Sequence, residues 1–232
     1  MRNVLFASLM ALGSVGCDKI IDRNVTETDY VLPSKTYSFD SSTFNIPSGV
    51  TQEVPCGAGQ VVTDCCNPPA PLPAPDCAMT PLTCEQNENG TDVCMAQVTV
   101  SQAQMANLGQ EVSGLSSLTS LVNLTIKQIS YEITANTLTV DVPDVLLYMA
   151  PQGVTDPSDS RAQQFGTLPA VPAMTTPSGN VVLTSNAAQV FGTYTKNLQT
   201  PFTFIAATTL KVSKAPAGRI DMKVGGTIAA SL

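Results

Sequence analysis

The sequence predicts a mainly β protein: an antiparallel β-sandwich, immunoglobulin-like or similar, with one short helix and a disulfide-rich insertion. Three observations support this fold class. Apolar and polar residues alternate over many short runs, which is the period of a half-buried strand. Turn residues separate these runs at short intervals, which favours an antiparallel sandwich over a βαβ fold. Charged residues make up only 12% of the chain, as in exported β proteins with surfaces of Ser, Thr, Asn and Gln.

The charge balance and the missing residue types exclude several function classes. The net charge is −7, and removal of residues 1–16 would take away Arg2 and no acid, which gives 10 − 18 = −8. Nucleic acid is therefore not an expected partner, because phosphate binding needs clustered Lys and Arg. The chain has no His, so it lacks the imidazole base of hydrolytic triads and the most frequent metal ligand. We expect no cofactor.

The first sixteen residues have the layout of an export signal. One positive charge, at Arg2, precedes an uncharged stretch from Val4 to Gly16 that ends in small residues. This stretch has thirteen residues, whereas a transmembrane helix needs about 20. Residues 1–16 are therefore predicted to be a cleaved signal segment.

The sequence Ser14-Val15-Gly16-Cys17 resembles the lipobox of bacterial lipoprotein precursors, in which a small residue precedes the lipid-modified Cys. The departure is Ser14, where that family usually has Leu. The resemblance implies that Cys17 is the lipid anchor: its thiol receives a diacylglyceryl group, a peptidase cuts before it, and the new amine is acylated, with palmitate as the expected acid. The membrane is then a partner. It also implies a cell-envelope location, with the outer membrane preferred over the inner. The alternative is an ordinary secretory signal cut near Gly16, with Cys17 an incidental thiol.

The mature chain is expected to begin with a tether and continue as one domain. Residues 17–35 are polar, without sustained periodicity, and are interpreted as a lipidated tether. Residues 36–232 are assigned to the β-sandwich domain. Its first strand or bent pair is predicted from Tyr37 and Phe39, and from Phe44 and Ile46, each two positions apart.

An insertion at about 55–95 combines many prolines with six cysteines, which are Cys56, Cys65, Cys66, Cys77, Cys84 and Cys94. Such a proline-rich segment cannot form a regular hydrogen-bond ladder. After export, three disulfides are expected to hold the segment in place of ladder hydrogen bonds. The sequence leaves open which cysteines pair. The adjacent Cys65 and Cys66 are expected to pair with different partners. A thiolate zinc site is the alternative, although the chain has neither C-x-x-C nor His.

The C-terminal half follows a β pattern with one helical interruption. A helix is predicted over Ser101–Ser120, from apolar residues three and four apart. A bulge is predicted near Lys127–Gln128, where the alternation changes phase. A polar loop is expected over residues 151–179. The remaining apolar runs are predicted as strands, namely Val98–Val100, Val122–Ile126, Ile129–Ile133, Leu138–Val142, Val145–Tyr148, Val181–Leu183, Val190–Tyr194, Phe202–Val212 and Ile220–Val224.

Two runs in the last hundred residues loosely resemble β-sandwich lipoproteins of late-embryogenesis-abundant type. They are N-T-L-T-V-D-V-P at Asn136–Pro143 and A-P-A-G-R-I-D-M at Ala215–Met222. This resemblance implies the same sandwich that the alternation predicts.

No set of residues indicates catalysis, so we do not expect an enzyme. The pairs Asp141/Asp144 and Asp156/Asp159 flank prolines at predicted strand ends, where Asp usually caps turns. The leading hypothesis is a membrane-anchored envelope lipoprotein whose sandwich contacts another envelope protein or gives structural support. A carrier of an apolar ligand between the sheets is the second hypothesis, and a hydrolase of unrecognised type is the third. Carbohydrate binding is disfavoured because the chain has no Trp.

Overall fold

The computed structural model describes residues 27–46, 52–57, 64–68, 70, 82–87, 89–112, 114–115 and 123–231. The predicted signal segment 1–16, the lipid-anchor candidate Cys17 and the disulfide candidate Cys77 lie outside the described residues. Within the described ranges, no helix has the length and apolar character needed to cross a membrane.

The described residues contain ten strands and two α-helices. The strands are β1 (Thr28–Asp40), β2 (Leu82–Gln86), β3 (Asp92–Ala106), β4 (Asn123–Asn136), β5 (Val145–Pro151), β6 (Gln163–Leu168), β7 (Ser178–Asn180), β8 (Val182–Leu183), β9 (Phe202–Val212) and β10 (Arg219–Ser231), and the helices are α1 (Leu108–Glu111) and α2 (Ala187–Thr195).

The strands form two antiparallel sheets that enclose an apolar core. The four-stranded sheet has the order β1-β10-β4-β7, and the six-stranded sheet has the order β2-β3-β9-β5-β6-β8. Alternate side chains point between the sheets and are buried, as Phe202, Ala206 and Leu210 show for β9. Helix α2 packs against β4, β5 and β6 and contributes Val190 and Phe191 to the core. The predicted antiparallel β-sandwich is confirmed.

The tether boundary predicted at residue 35 is wrong, because β1 already begins at Thr28. The register of β1 against β10 shifts between Leu32 and Lys35, where three steps along β1 match two along β10. This extra residue reverses which side chains face the core, from Leu32 before the shift to Tyr37 after it. The change of phase at the Pro33-Ser34 bulge is what hides the alternation in the sequence.

The helix predicted over Ser101–Ser120 is also wrong over its first third. Strand β3 continues to Ala106 because it is paired with β9 along its whole length from Ala96. In the described part that follows, one α-helical turn is present, α1, and its N-terminus is capped by Asn107, which accepts a hydrogen bond from the Gln110 amide. Residues 113 and 116–120 of the predicted helix lie outside the described residues. Conversely, the strand predicted over Val190–Tyr194 lies inside α2. One short helix was expected, and two are present in the described part of the chain.

Three further expectations concern β4 and its neighbours. The predicted bulge is confirmed, because Gln128 pairs with Thr227 and Ile126 with Ile228, which leaves Lys127 as the extra residue. Residues 138–142 do not form the predicted strand and make only an isolated bridge at Val142. The predicted loop over residues 151–179 contains the whole of β6.

The edge of β1 is covered by side chains of β3 instead of by another strand. Gln102 accepts a hydrogen bond from the Ser38 amide at 3.0 Å, and its own amide donates to the Ser38 carbonyl. Gln104 donates to the Thr36 carbonyl, and Lys35 donates to the Met105 carbonyl. Backbone groups that an edge strand would expose are thus satisfied across the gap between the two sheets.

Candidate functional site

The outer face of the six-stranded sheet carries more structure than its polar sequence predicts. Residues 151–162, predicted as open loop, fold over this face and bury Ile205 together with Val154 and Ala150. Ile205 lies on the same side of β9 as the polar residues Thr203, Thr209 and Lys211. Its position is explained by this second, small apolar cluster, which also contacts Tyr148.

Beside that covered area lies a depression of about 530 Å³, named here the central depression. Its floor is made by outward residues of three adjacent strands, because Thr99 of β3 is opposite Thr209 of β9, and Ala207 of β9 is opposite Leu146 of β5. Tyr148 completes the floor. The walls come from connecting segments, whose lining residues are Pro143, Asp144, Pro157 and Ala170.

The cysteine-rich segment forms a compact unit at one end of the same sheet, named here the stapled corner (residues 52–57, 64–68, 82–87 and 89–96). The start of β3 is bracketed in this unit by β2 on one side and by Val54–Cys56 on the other. One disulfide joins Cys56 to Cys84 and a second joins Cys65 to Cys94. The insertion is therefore partly built into the sheet as an edge.

The disulfides agree with the predicted treatment of the adjacent cysteines. Cys65 pairs with Cys94, so it does not pair with its neighbour Cys66, which is itself disulfide-bonded. The Cys65–Cys94 bond is buried with Val54 in an apolar cluster separate from the main core, with Cys65 only 1% exposed. The Cys56–Cys84 bond is half-buried.

Zinc was the alternative for these cysteines, and three of their sulfur atoms lie close enough together to be compared with a metal site. The sulfur atoms of Cys56, Cys65 and Cys94 lie within 4.8 Å of one another. All three belong to disulfides, and a disulfide sulfur carries no thiolate charge for a metal. The arrangement in this structure is therefore a structural staple.

A second depression, named here the corner groove, lies where the stapled corner meets the sandwich. It has a volume of about 470 Å³ and borders the central depression through Pro143 and Thr209. Glu53 fixes the junction, because it accepts hydrogen bonds from Asn87 at 3.4 Å and from Ser213 at 3.1 Å. The polar and charged residues of the lining are Glu53, Asn87, Asn89, Thr139, Asp141, Thr209, Lys211, Ser213 and Lys214.

A salt bridge crosses from β9 to the stapled corner. Lys211 holds Glu85 at 2.7 Å, and hydrogen bonding from Lys211 lowers the pKa of the Glu85 carboxyl. Both side chains are exposed, so the pair orients the corner more than it stabilises it.

Of the four aspartates considered from the sequence, Asp156 and Asp159 act in turns, as predicted, whereas Asp141 and Asp144 accept hydrogen bonds from a distant segment. Asp144 accepts a hydrogen bond from the Ala170 amide at 2.9 Å, and Asp141 accepts one from the Ala173 amide at 2.7 Å. Asp156 accepts hydrogen bonds from the amide and hydroxyl of Ser158. These bonds hold the walls of the outer-face depressions in place.

Asp159 provides a pH-dependent contribution to the same loop. The Arg161 side chain donates to both of its carboxylate oxygens, at 3.0 and 2.7 Å, and these bonds lower the pKa of Asp159 to about 2. A lowered folded-state pKa stabilises the fold above about pH 4, the unfolded value, and this stabilisation is lost as pH falls through about 2.

We therefore expect Asp159→Asn to flatten the acid side of the stability profile. The melting temperatures of the variant and the wild type should differ at neutral pH and converge towards pH 2, measured by circular dichroism. A constant difference over that range would contradict the assigned pKa.

The interior of the sandwich offers little room for a ligand. A narrow apolar cleft between the sheets is lined by Leu32, Ile129, Leu147, Phe165 and Phe204 and has a volume of about 40 Å³. Sites for small molecules usually measure about 300–1,000 Å³. Lys35 and Glu111 form an ion pair at 2.7 Å beside the cleft, and burial raises the pKa of Tyr37, another lining residue. The carrier hypothesis is therefore not favoured by the interior.

Among the residues of the central depression, Asp144 was considered from the sequence, as a turn residue, whereas the floor residues were not. A partial signal was present in β9, where the alternation places Ala207 and Thr209 on the face opposite the core, together with the apolar Ile205. The pairing of β3, β9 and β5 that assembles the floor is a long-range property that short sequence windows do not contain.

Comparison with known proteins identifies no family for this chain. No protein-family model matches the chain, and no curated protein matches it. The coat protein of Tobacco streak virus is 15% identical with a TM-score of 0.25, over 59% of this chain and 86% of that one. A structure of Desmodium yellow mottle tymovirus is 12% identical with a TM-score of 0.25, over 100% of this chain and 95% of that one. Likenesses at this level do not identify a family.

Proposed function

We propose that this chain is a lipid-anchored cell-envelope protein, non-enzymatic, whose stapled corner contacts another envelope protein. The observation that carries the proposal is the corner itself: two disulfides and a small apolar cluster hold an exposed polar unit at the end of the sheet. The lipobox resemblance at Cys17 supports the anchor.

Rigidity makes the corner suited to binding. Its tip is the turn between β2 and β3, where Asn87 accepts hydrogen bonds from the amides of Asn89 and Thr91, each at 3.0 Å. A surface ordered before binding loses less conformational entropy when the partner arrives. Loops held on a rigid scaffold are also where binding surfaces most often lie.

The corner groove suits a polar protein surface. Its rim carries both signs of charge, from Glu53 and Asp141 on one hand and Lys211 and Lys214 on the other. Mixed charges of this kind set the orientation and specificity of a protein contact more than its strength. Covering the edge of β3 against aggregation is a second role that the same geometry allows.

The anchor is tested by Cys17→Ala, which removes the thiol that would carry the lipid. Two acyl chains give stable anchoring, since each buried CH₂ contributes about 0.8 kcal/mol, so the variant should move from the membrane pellet to the soluble fraction. Asp18→Asn is the matched control because it changes the neighbouring residue and keeps the thiol. A Cys17→Ala protein that stays in the pellet after alkaline washing would disprove this anchor.

The contact is tested by photo-crosslinking in cells. A photoreactive residue at Asn89 or Lys214 should give a discrete adduct, whereas one at Glu132, exposed on the other sheet, should not. Adducts of equal yield from all three positions, or none from the corner, would refute the proposed surface and leave the edge-covering role.

A further inference from the structure

We propose that the central depression binds a neutral saccharide unit. This site is separate from the protein contact proposed for the stapled corner, and its argument rests on size, lining and charge.

The depression has the dimensions of a small-molecule site. Its volume of about 530 Å³ lies within the usual range of about 300–1,000 Å³. The floor is formed by the middle of three paired strands, so the lining residues are held by ladder hydrogen bonds and not by a mobile segment.

The lining is amphipathic in the way that a sugar ring is. Leu146, Ala207 and the ring of Tyr148 give the floor an apolar area. Thr99 and Thr209 add a hydroxyl pair, 3.1 Å apart, in which one hydroxyl donates to the other and the second keeps its own hydrogen for a ligand. A pyranose presents C–H groups on one face and hydroxyls around its edge, which matches an apolar floor with polar groups beside it. Carbohydrate binding was disfavoured from the sequence because the chain has no Trp. In the depression, Tyr148 supplies the aromatic surface instead.

One carboxylate supplies the directional contact. Asp144 uses Oδ1 for the Ala170 amide, and among the described residues its Oδ2 has no hydrogen-bond partner. A carboxylate oxygen accepts strong hydrogen bonds from hydroxyl donors. The Tyr148 phenol is protonated at neutral pH, as phenols ordinarily are, and can donate a hydrogen bond.

Charge selects against other ligand classes. The residues that line the central depression include Asp144 and no Lys or Arg. A phosphate, a nucleotide or a fatty-acid carboxylate would meet a like charge with no cation to offset it. The expected ligand is therefore neutral.

The wall over the depression is ordered in advance. Pro157 lies in the loop fixed by the Asp159–Arg161 ion pair, and the Tyr194 hydroxyl donates to the Arg161 carbonyl at 2.9 Å. A site that needs no ordering on binding keeps more of its contact energy as affinity.

The test uses the full-length protein in a sugar-free detergent, with cellotetraose and chitotetraose as neutral probes and tetragalacturonate as the anionic one. Titrations followed by isothermal calorimetry and by NMR should show millimolar binding of a neutral probe. Asp144→Asn and Tyr148→Ala should each weaken that binding by about tenfold, whereas Tyr148→Phe should weaken it less because the ring remains. Asp29→Asn, on β1 of the other sheet, is the matched control and should leave binding unchanged.

The proposal is overturned if neither neutral probe binds at millimolar concentration, if the anionic probe binds as tightly, or if the two depression variants bind like the control. Circular dichroism of each variant separates loss of binding from loss of fold. The outcome is independent of the crosslinking at Asn89 and Lys214, since those residues do not line the central depression.

Discussion

Gly218→Ala is expected to lower the free energy of unfolding by about 3–5 kcal/mol, among the largest effects of a single substitution. Gly218 has a φ of 93°, a conformation that side chains disfavour. A Cβ there would also lie 1.9 Å from the Thr137 carbonyl oxygen and 2.5 Å from its carbonyl carbon. Relief is difficult because Thr137 is itself held by Arg219, through hydrogen bonds of 2.8 and 3.0 Å.

Urea denaturation followed by circular dichroism measures this effect, and Gly153→Ala is its matched control. Gly153 has a φ of 86° but nothing within 4 Å of the added Cβ, so only the backbone penalty of about 1 kcal/mol applies. Equal losses at the two glycines would show that the close approach of Thr137 contributes nothing.

The second large effect is expected from the buried disulfide. The double variant Cys65→Ala/Cys94→Ala should lose about 2–5 kcal/mol, because it frees a loop of the unfolded chain and also empties the apolar cluster around Val54. The control is Cys56→Ala/Cys84→Ala, which removes the half-buried bond; that bond joins residues a similar distance apart in sequence, 28 against 29, with less burial.

The two double variants therefore separate the contribution of burial from that of loop closure. In chemical denaturation without reductant, the Cys65→Ala/Cys94→Ala variant should have the lower free energy of unfolding of the two. If the half-buried pair costs as much or more, the cluster around Val54 does not stabilise the corner.

The mass of the unreduced mature chain should also be lower than that of the reduced chain by the hydrogens of three disulfides.

The sandwich was predictable because alternation is a local property. In β9 the sequence itself shows which residues face the core, and at Lys127 it shows where one extra residue reverses the pattern. The N-terminal half of β1 was missed for a related reason, since its bulge at Pro33-Ser34 breaks the alternation into runs too short to recognise.

Other features depend on what the chain meets elsewhere in the fold. Val190 and Phe191 are compatible with a strand or a helix. They belong to α2 because the segment packs against β4 and β6 as a helix. The apolar spacing after Ser101 indicated a helix, yet pairing with β9 keeps the chain extended to Ala106. Propensity is a weak prior that such tertiary contacts override. The central depression could not be predicted from short sequence windows, because its floor combines three strands distant in sequence.

The antiparallel pairing of β1 with β10 has a mechanical consequence. The ladder runs from Thr28 opposite Ala230 to Asp40 opposite Arg219, and the stapled corner lies beyond the Asp40 end, since Gln104 reaches Thr36 and Gln102 reaches Ser38 in that order. A pull between residue 28 and the corner thus acts along the strands, perpendicular to the ladder bonds. Such a load is shared as shear over the whole ladder, whereas a pull between Thr28 and Ala230 would unzip it one bond at a time. If Cys17 is the anchor and the stapled corner the contact, as proposed, tension on the chain would act in the direction that the ladder resists best.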